Sequence, residues 1–468
     1  MHAATDGETY DIQYTGLVCA VAALGGLLFG YDFVVIGGAK PFYEVYFRLI
    51  SAAQIGWANG CALLGCLAGS VLSGTVSDRL GRKNLLILSA VLFGVSSLLT
   101  AWANTFSMFV TWRILGGVAI GIASNVSPTY IAEISPALWR GRLVSLNQIT
   151  IVVGILLAQI VNWIIADRVP NGATAEMIRG SWNGQFGWRY MFLAVVVPSL
   201  LFFLAALFVP ESPRWLVLHG RKQEATAIFS RIGGAAYALR AVRDIEVATA
   251  VESNTQVARS QLRSPRIQRV LLIGVVLAIL QQWSGINILF NYAEEVYRSA
   301  GYGVNDILFN IVITGTVNLV FTLIAFRIVD KRGRRPLMLF GCAGVALSHF
   351  LIGLGYRLGI RGLPILLFTL LTIGCYAMSL APVTWVLISE IFPTRFRGAG
   401  VAVSVSALWI ASFLLTFTFP VLIEKFGTPG TFWTYAFICT AGFAFIYFTV
   451  PETKGKTLEE IERELVSA

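Results

Sequence analysis

The chain has 468 residues, of which 56% are hydrophobic and only 13% charged, about half the charged fraction usual in soluble domains. That balance excludes an ordinary soluble enzyme. The formal net charge of +10 then belongs to the loops of a membrane protein rather than to a nucleic-acid-binding patch.

Apolar stretches close to the ~20 residues that cross hydrocarbon recur about twelve times. Their approximate limits are 14–39, 54–77, 84–103, 107–131, 141–166, 188–209, 268–297, 305–329, 335–357, 361–391, 397–424 and 430–450, called spans 1 to 12 below. Span 1 follows Asp6, Glu8 and Asp11 instead of basic residues and is too long for a signal-peptide core, so it is expected to remain as a helix. Of the 35 Lys and Arg residues, 24 fall in the loops and tails on one side and nine on the other. The bias of basic residues toward cytoplasmic loops places both termini in the cytoplasm. All six cysteines lie inside apolar spans without CxxC spacing and read as small buried hydrophobes.

The longest polar segment separates six spans from six. The expected organisation is an N-terminal bundle over 1–209, a cytoplasmic helical linker over 210–267, a C-terminal bundle over 268–450 and a cytoplasmic tail over 451–468. Within the linker, Ala225, Ile228, Phe229 and Ile232 share one face of a helical pattern over 223–232. The halves repeat each other in three places. Asp78-Arg79-Leu80-Gly81-Arg82-Lys83 after span 2 matches Asp330-Lys331-Arg332-Gly333-Arg334-Arg335 after span 8. Glu133-Ile134-Ser135-Pro136 with Arg140-Gly141 matches Glu390-Ile391-Phe392-Pro393 with Arg397-Gly398, and Pro210-Glu211-Ser212 matches Pro451-Glu452-Thr453. Equivalent motifs in the same order define a parallel six-plus-six repeat, whose bundles rock to open a shared cavity to either side in turn. The motif charges, Asp78, Arg82, Glu133 and Arg140 in one half and Asp330, Arg334, Glu390 and Arg397 in the other, are expected to form interhelical gate pairs. These would hold the outward-facing state and break when it inverts.

Span 7 contains Gln281-Gln282-Trp283-Ser284-Gly285-Ile286-Asn287, three amides in apolar surroundings where an unsatisfied polar group costs ~5 kcal/mol. They are expected to face a wet cavity. Gly285 permits local unwinding, and neutral amides that donate and accept suit hydroxyl groups. Asp32 in span 1 and Arg113 in span 4 sit at the same depth, ~10 Å below one surface at 1.5 Å per residue, and can pair. An intramembrane carboxylate beside a removable cation can carry a proton. Glu294 and Glu295 near the end of span 7 are expected to be solvated, with a gate contact as the other reading, and His349 is expected to pack.

These motifs resemble the sugar porter family of the major facilitator superfamily, which includes bacterial D-xylose:proton symporters and animal facilitative glucose carriers. The likeness rests on Gly74 with Asp78 to Lys83, on Leu115, Gly117, Gly121, Tyr130, Glu133 and Arg140, and on Pro210-Glu211-Ser212-Pro213-Arg214-Trp215-Leu216. It implies an all-α membrane protein of twelve transmembrane helices in two six-helix bundles, with short cytoplasmic linking helices. By resemblance, the sugar contacts fall on Gln148, Gln281, Gln282, Asn287, Asn318 and Trp385, with aromatic positions at Tyr292 and Trp409 and Phe29 covering from the first bundle. Four positions depart from the family's habit: Asn291 where tyrosine is usual, Leu408 where an amide is usual, Ser412 where asparagine is common in glucose carriers, and Ala381 where glycine is usual. The proton-coupled members are similar to this chain in pairing an Asp in span 1 with an Arg in span 4.

The expected activity is import of a pentose or hexose with a proton by alternating access, from a multi-pass position in the inner membrane, by a chain working as a monomer without cofactor or metal. Proton-independent facilitated transport and sugar sensing are the alternatives. An ATP-driven pump is disfavoured because Gly455-Lys456-Thr457 lacks the earlier P-loop glycine. An enzyme is disfavoured because neither HExxH nor GxSxG occurs among three scattered histidines.

Overall fold

A hydrocarbon environment offers no water to backbone N–H and C=O groups, so each crossing segment must close its own hydrogen bonds as a helix. The structure, a computed structural model, describes residues 2–5, 8–170, 172–253, 265–392, 397–454 and 456. Among these, eleven helices are long and apolar enough to cross a membrane. The last, Gly398–Thr449, contains two spans, because the chain leaves helical geometry at Gly427 (φ 69°) just before Pro429. The all-α expectation therefore holds with twelve spans. The strand content among the described residues is one antiparallel ribbon, His2–Thr5 against Glu8–Asp11.

Local sequence sets the helix ends. Asp11 caps span 1, its Oδ1 accepting from the Tyr14 N–H at 2.9 Å, and Ser51 with Gln54 forms a reciprocal capping box at the start of span 2. Span 1 runs Ile12–Phe47, well past the expected limit at 39. A charge such as Lys40 usually ends a membrane segment, but carboxylates of spans 1 and 7 neutralise this one. Spans 7 and 10 are discontinuous. Span 7 breaks between Pro265–Trp283 and Ile286–Asn291 at Gly285, whose φ of 85° suits glycine. Span 10 breaks at Ser379, between Leu363–Met378 and Leu380–Ile391.

The sequence repeats become structural repeats. Span 3 starts after Gly81 and span 9 after Gly333, both with positive φ. Glu211 Oε1 accepts from the N–H groups of Arg82 (2.8 Å) and Lys83 (3.0 Å). In the second half, Glu452 accepts from Arg334 N–H (3.0 Å) and Arg335 N–H (3.2 Å). Each glutamate thus satisfies orphan donors at a helix N-terminus, where the macrodipole also favours an anion. Glu211→Ala should lower stability by about 2 kcal/mol through loss of two charge-assisted bonds. Replacing exposed Glu176, whose contacts are surface ion pairs, should cost less than ~0.5 kcal/mol. Thermal unfolding in detergent compares the two.

The linker forms helices Pro213–Leu218 and Lys222–Ser253, the second kinked at Gly233 and Gly234. As expected, Ala225, Phe229 and Ile232 are buried. Spans 1 to 6 pack on one another, as do spans 7 to 12, and the two groups meet through span pairs 1 and 7, 2 and 11, and 5 and 8. Ring and polar contacts across them lie at mid-depth or in the half of the molecule away from the termini. They include Trp57 with Phe413, Trp163 with Phe309, and the Val169 N–H donating to Asn305 at 3.0 Å. A Cβ at Gly37 or Gly56 would collide with the backbone oxygen of Phe290 or Phe417, so these glycines let the bundles close at the far end.

Candidate functional site

The two broken helices meet at the amide cluster. Gln281 Nε2 donates to the carbonyls of Leu380 (3.4 Å) and Ala381 (3.2 Å) just past the break in span 10. Gln282 Nε2 donates to Gln281 Oε1 at 3.2 Å, and Asn287 Nδ2 donates to Gln282 Oε1 at 2.5 Å and to Ser412 Oγ at 3.1 Å. The chain of amides has a direction, and its geometry leaves Asn287 Oδ1, one N–H of Gln282 and spare lone pairs on the glutamine oxygens for a ligand. No charge enters it. The amides, expected to face a wet cavity, bond one another and the carbonyls freed where span 10 unwinds, and are buried apart from a small exposed remainder on Gln282 and Asn287. Ser284 and His349 brace the turn: Ser284 Oγ donates to Gln281 O at 2.8 Å, and His349 Nε2 lies 2.8 Å from Ser284 O.

Phe29 of the first bundle reaches Trp409 of the second with ring centroids 6.0 Å apart, and the Trp409 Nε1 is buried without a partner among the described residues. Asn318 is buried, Gln148 half-buried and Trp385 39% exposed. No hydrogen bond among the described residues ties these three to the amide chain. Tyr292 differs from its expected place at a ligand surface. It is fully buried, its hydroxyl donates to Thr416 O at 2.7 Å, and its ring packs on Phe419. Packing between spans 7 and 11 has consumed both its face and its polar tip.

Asp32 and Arg113 pair as their equal depth implied. Arg113 Nη1 donates to Asp32 Oδ1 at 3.0 Å and Nη2 to Asp32 O at 3.3 Å, and both side chains are almost wholly buried. Asp32 Oδ2 has no hydrogen-bond donor among the described residues. The guanidinium also lies over the Phe192 ring, 5.2 Å from its centroid.

The motif charges meet inside each half. Arg82 bridges Asp78 (3.1 Å) and Glu133 (3.0 Å), and Ser212 Oγ donates to Glu133 Oε2 at 2.5 Å. In the second half Arg334 pairs with Glu390 at 3.4 Å, and Thr453 Oγ1 donates to Glu390 Oε2 at 2.6 Å. Arg140 lines a cavity of about 420 Å³ with Glu133, Arg214, Arg240 and Asp244. The side chains of Asp330 and Arg397 lie outside the described residues. These clusters were expected to break once the far end closes. Among the described residues, the Arg82–Asp78, Arg82–Glu133 and Arg334–Glu390 pairs are formed with that end closed, and each joins helices of one bundle.

Glu294 and Glu295, expected to be solvated, are drawn inward. Glu294 is 2% exposed and both contact Lys40 of span 1. The sequence signal for this was present: the polar positions Lys40, Glu44, Glu294 and Glu295 fall at the same ends of spans 1 and 7.

A twelve-span membrane protein with two repeated bundles, broken helices meeting at a neutral hydrogen-bonding cluster, and a buried carboxylate–guanidinium pair has the build of a secondary transporter. The sequence matches the family described as "Sugar (and other) transporter" over residues 18–465, and the chain belongs to that family. It is 38% identical to the D-xylose-proton symporter of Escherichia coli (strain K12), covering 97% of this chain and 96% of the relative. It is 36% identical to the arabinose-proton symporter of Bacillus subtilis (strain 168), covering 97% and 96%. The partially occluded inward-open conformation of the E. coli xylose transporter XylE superposes with a TM-score of 0.83 at 36% identity, over 95% of this chain and all of that one.

Proposed function

We propose that this protein carries a monosaccharide, a pentose or hexose, across the membrane together with a proton by alternating access. The observation that carries the reading is a neutral, directional amide chain in the same molecule as a buried Asp32–Arg113 pair. The amides recognise hydroxyls, and the pair holds a proton-accepting group next to a cation. Gln148, Asn318, Trp385, Phe29 and Trp409 complete the sugar surface, and Tyr292 positions span 7 against span 11. Asp78, Arg82, Glu133 and Arg140, with Asp330, Arg334, Glu390 and Arg397, hold each half rigid so that it rocks as a unit over 1–209 and 268–450. The chain works as a monomer in the inner membrane, with both termini, the linker and the tail cytoplasmic.

The test is uptake into proteoliposomes with a panel of unlabelled pentoses and hexoses as competitors, with and without an inward proton gradient. The expected result is competition by one or a few sugars and accumulation only with the gradient. Equal, gradient-independent equilibration would instead make the protein a facilitative carrier. Binding without any flux would make it a sensor.

A further inference from the structure

Five charges converge where spans 1 and 7 close the far end of the molecule. Lys40 Nζ, 1% exposed, lies 2.8 Å from Glu44 Oε1 and 3.3 Å from Glu294 Oε2, and also contacts Glu295. Arg298, 57% exposed, contacts Glu294 from the rim. Lys40 and Glu44 belong to the first bundle, Glu294, Glu295 and Arg298 to the second. Unlike the motif clusters of the other end, this one crosses the interface that must part when the protein opens. A cavity of about 450 Å³, lined by Glu44, Arg298, Tyr302, Pro41 and Val169, reaches the cluster from the far surface.

The charges do not balance. Three carboxylates face two cations, one of which is mostly in water, so closure buries surplus negative charge and a proton on one carboxylate removes it. The neighbours do not supply that neutralisation. Tyr43, Tyr292 and, from span 9, Tyr356 are phenols, which are uncharged at neutral pH. Asp306 at the start of span 8 faces Tyr302, and Arg113 is taken by Asp32.

We propose that Lys40, Glu44, Glu294, Glu295 and Arg298 form a proton-binding latch, separate from Asp32, that shuts the far end and grips more firmly in acid. The sign follows from linkage. The closed latch binds a proton more tightly than the parted, hydrated carboxylates do, so the closed state gains as pH falls and loses as pH rises. The inference rests on alternating access but on neither the sugar nor the Asp32 relay.

Spin labels at Ile50→Cys and Leu358→Cys, both exposed at the far end of opposite bundles, report closure by pulsed electron resonance in lipid nanodiscs. The six native cysteines are buried. In an Asp32→Asn background without sugar, the closed-to-open ratio should rise by about threefold or more from mildly alkaline to mildly acidic buffer. Lys40→Met should deplete the closed population at both pH values. Glu295→Gln, which removes the surplus charge, should keep the latch closed and flatten the pH response. An unchanged ratio in Lys40→Met, or a pH response that survives Glu295→Gln, overturns the latch. A single distance at every pH and in every variant would overturn alternating access itself.

Discussion

Asp32→Asn is expected to abolish uphill accumulation of sugar while leaving sugar-for-sugar counterflow within about threefold of the parent. Amide and carboxylate have nearly the same shape, so the substitution leaves the geometry of the sugar site in place. What disappears is the one oxygen at this position able to take up and release a proton as Arg113 approaches and withdraws. The substitution also leaves Arg113, 3% exposed, without its counter-charge, and breaking a buried pair costs on the order of 3–5 kcal/mol. A lower unfolding temperature is therefore part of the expectation. The double variant Asp32→Asn/Arg113→Met should recover most of that stability without recovering accumulation, which separates the proton role from a folding role. Accumulation that persists in Asp32→Asn would place the coupling carboxylate elsewhere, and Glu295 is the first place to look.

The features legible in the sequence were those written in local pattern. Twelve apolar stretches, the D-[RK]-x-G-R-[RK] repeats and the glycine in span 7 each state a backbone requirement that neighbours in sequence reveal. The glutamates of Pro210-Glu211-Ser212 and Pro451-Glu452-Thr453 were visible as a repeat, but their work at the starts of spans 3 and 9 needed the fold. The break in span 10 was not legible, because Ser379 lies in an apolar run with no glycine at the break itself. It is held open by Gln281 from another helix. The pairing of Lys40 with Glu294 was only half legible: the charges fall at the same ends of spans 1 and 7, but the packing of those spans selects the gate contact over solvation. Tyr292 fell on an aromatic position of the family, yet its hydroxyl is already committed to Thr416.

That difference between local and long-range requirements also ranks the amides. Asn287→Ala should weaken sugar affinity by roughly thirtyfold to 150-fold, the loss of two or three hydrogen bonds at about 1 kcal/mol each. The large value follows from position. Asn287 offers Oδ1 to a hydroxyl, and its two N–H groups also anchor Gln282 Oε1 and Ser412 Oγ, so removing it frees Gln282 to turn away. Asn318, which has no such dependent, should cost about tenfold or less when replaced by alanine. Calorimetric or competition binding on purified protein measures both. Asn287→Ser, which keeps a short polar group but cannot bridge Gln282 and Ser412 together, should fall near the alanine variant. If Asn287→Ala binds within twofold of the parent, the sugar does not sit on the amide chain. The site would then have to be sought on the half-buried face of span 5 around Gln148.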